Sequence, residues 1–376
     1  MTLKIRGYLL ANFNTHLFLY LLPLLLLINC KHKRSDQQPS ILKPIIVTDK
    51  VTHDSDDPAI WYNKNDPSKS LILGTDKHEV VGGLVAFDLN GQIVPDKSVD
   101  SLDRPNNVAI LTDMVLGKDT SDVAIVTERM TSKLRLFALP ELEPLDDGGI
   151  PVFRDEPNHD AVMGIAVYKR SSDGESFVIL SRKSAPSDSA YLHQYRLYAD
   201  TSATSPKNSV LPVIRADFIR AFGNFSGKIE IEAIAVDQQT EYLYYSDEGY
   251  GIRKYHADPR KGNQELAVFG KDHFVEDREG IAIINTGSQS GYIAVSDQQG
   301  GQLHLYNRIV KQDSILPHDH SLLAEIDYQA SETDGVEVTT DSLNDSFPNG
   351  LLVAMSDDKT FQYYDLRDIL NNVRAR

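Results

Sequence analysis

The chain has 376 residues, 41% of them hydrophobic, with Gly and Pro spread throughout, which excludes disorder as its main state and suits a folded protein with many short strands. A formal charge of −16 excludes a nucleic-acid partner, since phosphate backbones need basic surfaces. The single cysteine, Cys30, excludes an intramolecular disulfide.

In chain order, Lys4 and Arg6 precede an apolar run over residues 17–28, so residues 1–30 read as an export signal, the run being short for a membrane span. It ends in a lipobox-like Ile28-Asn29-Cys30, although Asn29 departs from the small residue usual before such a cysteine. Lipidation is expected at Cys30, giving an exported protein anchored in a bacterial cell envelope, periplasmic or at the cell surface, and otherwise secreted. Residues 31–42 read as a polar tether, which confines membrane contact to the anchor.

Residues 43–376 read as one domain made of repeats. An extended segment over 43–52 comes first. The first unit then supplies strands at 56–62 (DDPAIWY), 70–76 (SLILGTD) and 82–89 (GGLVAFDL), and the second at 106–112 (NNVAILT), 122–129 (DVAIVTER) and 132–139 (SKLRLFAL). The third gives 163–169 (MGIAVYK), 176–183 (SFVILSRK) and 191–198 (YLHQYRLY), and the fourth 232–238 (EAIAVDQ), 241–248 (EYLYYSDE) and 250–257 (YGIRKYHA). The fifth gives 279–285 (EGIAIIN), 291–298 (GYIAVSDQ) and 301–308 (GQLHLYNR), and the sixth 334–340 (DGVEVTT), 350–357 (GLLVAMSD) and 359–366 (KTFQYYDL). Six such units at a spacing of roughly 50 to 70 residues predict an all-β, six-bladed β-propeller, small residues near the first strands suiting a crowded axis. Little chain follows the last unit, so the segment at 43–52 is expected to close the ring and remove two exposed edges.

Antiparallel pairing places the start of each first strand beside the end of each second strand. One face therefore gathers Asp54, Asp56, Asp57, Asn106, Asn107, Glu232, Asp277, Glu279 and Asp334 with Asp76, Lys77, Glu128, Arg129, Arg182, Lys183, Asp247, Glu248, Asp297, Gln298 and Asp357. Asp and Asn are ordinary at strand ends; Glu232, Glu248 and Glu279 are not, and like charges crowded on one rim call for a cation. Hard oxygen ligands without His or Cys motifs point to several calcium ions, with magnesium the other candidate. Lys77, Arg129 and Lys183 end equivalent strands of three successive units, a register suited to phosphate. Metal beside phosphate-binding cations implies metal-activated hydrolysis of a phosphate ester. Two other readings stand: a non-catalytic surface propeller binding a glycan or protein, and a propeller hydrolase of another ester. No RHGxR, G-x-S-x-G or P-loop element is present.

The run DSDDPAIW from Asp54, with Thr75-Asp76-Lys77, Asn106-Asn107-Val108, Glu128-Arg129, Asp277-Arg278-Glu279-Gly280 and Thr333-Asp334-Gly335-Val336, resembles the β-propeller phytases. The resemblance runs from about Val51 to Asp365. It implies a calcium-dependent enzyme that releases phosphate from myo-inositol hexakisphosphate, phytate, at a cleavage site beside a second, affinity site. It implies catalytic and substrate-binding roles for Lys77, Arg129 and Lys183, a substrate contact for Gln298, and catalytic calcium ligands at Asp56, Glu232, Glu248, Asp277 and Glu279. Asp57 and Asp334 are implied as ligands of structural calcium. Three positions depart from the family: Met163 replaces a phosphate-contacting tyrosine, Ala109 an aspartate and His78 a second lysine, all bearing on the second phosphate site. Inositol phosphates are the expected partners, and a monomer the expected state of a closed acidic ring.

Overall fold

Six antiparallel sheets surround one axis, each a meander running outward from an innermost first strand. The structure is a computed structural model describing residues 41–374 apart from 155, 157, 205–210 and 311–317. The expected export signal, Cys30 and all but the last two residues of the tether lie outside the described residues.

Blade one comprises Ser55–Trp61, Leu71–Asp76, Gly82–Phe87 and Val99–Leu102. Blade two comprises Pro105–Leu116, Asp119–Glu128, Lys133–Ala138 and an outer edge split into Glu143–Pro144 and Ile150–Pro151. Blade three has Val162–Lys169, Ser176–Arg182, Leu192–Thr204 and Pro212–Phe222; blade four has Ile234–Asp237, Tyr242–Asp247, Gly251–His256 and Ala267–Phe269. Blade five has Arg278–Gly287, Ser290–Asp297, Gln302–Asn307 and Leu322–Asp327. In blades one to five each expected three-strand unit thus gains a fourth, outer strand that the sequence pattern had not marked.

Blade six contains Val336–Thr339, Leu351–Ser356 and Thr360–Asp365, and its fourth strand is Ile46–Val47 from the other end of the chain, Ile46 pairing with Tyr363. Ile45 N–H donates to Tyr363 O at 2.8 Å and Thr48 N–H to Phe361 O at 3.0 Å, so the segment at 43–52 closes the ring as expected. Past the last strand the chain forms a helix, Leu366–Arg374, which the sequence reading did not assign. Leu366 and Ile369 are buried against blades five and six, with Leu370 and Val373 partly buried beside them; spacing of three and four residues makes this one helical face.

Second strands read as continuous apolar runs because neighbouring blades cover both their faces: all six residues of Leu71–Asp76 and of Leu351–Ser356 are buried. First strands line an axial cavity of about 330 Å³, where Ala59, Ala109, Ala166, Ala233, Ala235 and Ala282 leave the space.

Candidate active site

The top rim is fixed by hydroxyls that stitch each blade to the next. Thr75 Oγ1 donates to Asn106 O at 2.8 Å, Thr127 Oγ1 to Met163 O at 2.7 Å, Ser181 Oγ to Ile231 O at 2.7 Å and Ser296 Oγ to Thr333 O at 3.0 Å. Ser246 makes the same bond to Arg278 O, and Ser55 Oγ closes the circle by donating to Ser356 O at 2.9 Å. The carbonyls at the mouths of the first strands are thereby held, and with them the side chains that follow. Close approach is enforced too: a Cβ at Gly164 would lie 1.5 Å from Glu232 O, so no larger residue fits where blade three meets blade four.

After each second-strand hydroxyl residue, Thr75, Thr127, Ser181, Ser246, Ser296 and Ser356, come two residues with different jobs. The first anchors the loop entering its own blade. Asp76 accepts from His53 N at 2.8 Å and Asp54 N at 2.9 Å, Glu128 from Asp103 N at 3.0 Å, Asp247 from Ser226 N at 2.8 Å and Asp297 from Val275 N at 3.1 Å. Arg182 serves the same purpose as a donor, to Ala190 O at 2.5 Å and to Glu156, and Asp357 accepts from Ser331 Oγ at 2.5 Å. These six gathered residues are therefore structural. Strand alternation turns the next residue the other way, and those residues are Lys77, Arg129, Lys183, Glu248 and Gln298.

Lys77 Nζ lies 2.7 Å from Asp56 Oδ1, 3.7 Å from Asp334 Oδ2 and 3.8 Å from Asp54 Oδ2. Burial alone would lower its pKa, but Asp56, Asp334 and Glu232 outweigh that and hold it above the usual lysine value. Gln298 donates to Asp334 Oδ1, and Gln299 bridges Gln298 Oε1 at 2.5 Å and Asp277 Oδ2 at 2.8 Å. Asn106 Nδ2 donates to Glu232 Oε1 at 2.7 Å. Lys183 pairs with Glu230. Arg129 is half-buried where the second strand of blade two turns into the Arg129–Thr131 turn, and its side chain makes no hydrogen bond or ion pair among the described residues.

Carboxylates dominate the electrostatics. Ligand oxygens of Glu230, Glu232 and Glu248 lie within 4.8 Å of one another. Burial pushes Glu248 up to about 9, with Glu230 and Glu232 adding to it, and pushes Glu232 up to about 7, with Asp56 adding. Asp56 reaches about 7 through burial, Lys77 opposing, and Asp334 about 6 for the same two causes. Burial and then Glu248 raise Glu279 well above the carboxylate range. Asp57 is also raised by burial, against the pull of Val108 N–H, which donates to its Oδ2 at 2.9 Å.

Asp56 Oδ2, Glu248 Oε1 and Asp277 Oδ1 are buried oxygens without a hydrogen-bond partner among the described residues, as are Oδ1 of Asn106 and Oδ1 of Asn107. Unpartnered buried oxygens are rare because each carries a desolvation penalty. An all-oxygen set of this kind fits a hard divalent cation, which would both supply the missing partner and lower the raised pKa values.

Three site residues escaped the sequence reading. Glu230 lies two residues before Glu232 in KIEIEAIAV, where alternation puts both on one side of an extended chain. Gln299 was hidden behind Gln298. Glu337 lines the axial cavity with Asp57 and is raised to about 7 by burial; as the one charged residue inside GVEVTT it could have been noticed.

The sequence model of the family described as Phytase matches residues 14–366. The chain belongs to the phytase family. As a phytase it is a hydrolase of phosphate monoesters, with phytate as its substrate. A 3-phytase of Bacillus subtilis (strain 168) is 25% identical over 308 residues, covering 80% of this chain and 74% of that protein. Among solved structures, a chain in a crystal structure of the mitotic checkpoint complex is similar at TM-score 0.47 and 10% identity, covering 94% of the phytase and 99% of that chain. A chain in a crystal structure of a nidogen/laminin complex is similar at TM-score 0.42 and 11% identity, covering 79% and 94%. Both likenesses are too loose to bear on the phytase site.

Proposed function

We propose that this phytase hydrolyses phytate with the help of calcium ions held by Asp56, Glu232, Glu248, Asp277 and Glu279. What supports the reading most is the set of buried, unpartnered oxygens on Asp56, Glu248 and Asp277, sharing one rim with Lys77. Calcium in that place supplies Lewis-acid polarisation of a phosphoryl oxygen and a more acidic water.

The protein's own groups do the rest. Lys77, anchored by Asp56, is held where it can neutralise an equatorial phosphoryl oxygen as charge builds in the transition state. Arg129, without a side-chain partner among the described residues, offers two parallel N–H donors to a phosphate. Lys183 adds a mobile point charge, and Gln298 orients Asp334 while presenting an amide to substrate. Asn106 keeps one oxygen of Glu232 occupied and the side chain in place. Asp57 and Asp334 are assigned to further calcium, Asp57 beside Glu337 in the axial cavity. Met163 is apolar where a phosphate-contacting tyrosine is expected, so discrimination between phytate and smaller esters rests more on Arg129 and Lys183.

Phosphate release from phytate by the wild type, Lys77→Ala and Glu232→Gln tests this reading. Each substitution is expected to lower kcat by about 10² or more, with the fold intact by circular dichroism; unchanged release in both would overturn it. The same reading places the protein outside the cytoplasm as a monomer tethered by a lipidated Cys30, and Cys30→Ser is expected to move it from the membrane to the soluble fraction.

A further inference from the structure

Resting on the calcium reading above, we infer that Glu230 is an exchange partner that couples calcium loading to the release of Lys183 for phosphate binding. Unless a metal ion takes over the carboxylate, as proposed for Asp56 beside Lys77, a lysine clasped by one is poorly placed for phosphate, because the clasp occupies the ammonium and repels the anion. Lys183 is clasped in this way by Glu230. The same Glu230 offers a ligand oxygen within 4.8 Å of those of Glu232 and Glu248, and Glu248, 1% exposed, keeps Oε1 without a partner among the described residues. Glu230 therefore faces two cation positions, one filled by the ammonium and one by the incoming ion.

Both cannot be served equally. A divalent ion on Glu230 repels the ammonium twice as strongly as a second monovalent charge would at that distance. Lys183 is able to leave, since its side chain is 44% exposed, whereas Lys77 is 16% exposed and stands among three carboxylates. A half-exposed ion pair adds little to stability, so exchanging Glu230 from lysine to calcium asks little of the fold. The freed ammonium then finds its counter-charge on a phosphate of the substrate. Lys183 itself is carried on a backbone held by Lys183 N–H to Ala161 O at 2.9 Å, so only the side chain need move. By linkage, calcium and the anionic substrate assist each other's binding through this residue pair.

Crystal structures of the full-length protein with calcium and with chelator test the exchange, alongside calcium isotherms of the wild type, Glu230→Gln, Lys183→Met and Glu232→Gln. The expected result is a calcium shared by Glu230, Glu232 and Glu248 with Lys183 swung off Glu230. In the isotherms calcium binding is about tenfold or more weaker in Glu230→Gln and about threefold or more tighter in Lys183→Met. Calcium on Glu232 and Glu248 with Glu230 still clasping Lys183, or a Lys183→Met isotherm identical to wild type, would overturn the exchange while leaving calcium-dependent hydrolysis standing. No calcium on any of the three, with Glu232→Gln also silent, would overturn both.

Discussion

Asn106 on the second blade donates its side-chain amide to Oε1 of Glu232 on the fourth, 2.7 Å away. The bond reaches past the third blade, and both ends are pinned, Asn106 O by Thr75 and Ile231 O by Ser181. A donor on a carboxylate favours its ionised form, which is also the form that binds a cation. Asn106→Leu should therefore raise the Glu232 pKa further and weaken calcium binding by about tenfold, the scale of one hydrogen bond to a charged group. A calcium titration at neutral pH checks this.

Ser181 accepts from Gly164 N at 2.9 Å and donates to Ile231 O at 2.7 Å, both buried. Ser181→Ala strands a backbone N–H and a carbonyl at the joint of blades three and four. Leaving buried groups unpaired costs about 1–3 kcal/mol each, so denaturant unfolding should show a loss of at least about 2 kcal/mol. Activity should fall as well, since Ile231 O fixes the approach to Glu232.

The raised carboxylates set the pH behaviour of the metal-free protein. Asp334 at about 6, Asp56 and Glu232 at about 7 and Glu248 at about 9 all bind protons more tightly folded than unfolded, where carboxyls titrate near 4. Their protonation thus favours the folded state below about pH 4, and that contribution is lost progressively as pH rises to about 9. In chelator, Tm is expected to fall between pH 5 and 9. Added calcium must displace these protons, so its stabilisation should grow over the same range; thermal scans with and without calcium at pH 5, 7 and 9 check both trends.

Closure by the N-terminal strand is open to a single substitution. Thr48 uses its N–H on Phe361 O at 3.0 Å and its Oγ1 to accept from Phe361 N at 2.9 Å. Thr48→Pro removes both bonds and frees the edge of Thr360–Asp365, with an expected loss of about 2 kcal/mol or more and concentration-dependent aggregation on heating, measurable by light scattering during a thermal scan.

Blade number, ring closure and the shared rim were legible in the sequence because they follow from repetition and strand polarity, which survive without coordinates. The division of labour at the strand ends did not follow from strand polarity and came only with the family resemblance. Asp76 and Lys77, or Asp247 and Glu248, are adjacent and equally polar, yet one anchors a loop and the other meets the site. Only the strand register decides which is which, and a one-residue shift exchanges the roles. Glu230 was missed for a related reason: it precedes the strand Ile234–Asp237, in a stretch without regular secondary structure and outside the repeat pattern. The helix Leu366–Arg374 carried its apolar spacing in plain view at Leu366, Ile369, Leu370 and Val373, but a chain read as six sheets offered it no place.

Phosphate release from phytate by the purified full-length protein, stripped by chelator and then titrated with calcium, decides whether calcium on this rim enables the hydrolysis. Release should be negligible in chelator, restored by calcium in wild type and restored only weakly in Glu232→Gln. Release that persists in the stripped, folded protein at the calcium-loaded rate would contradict it.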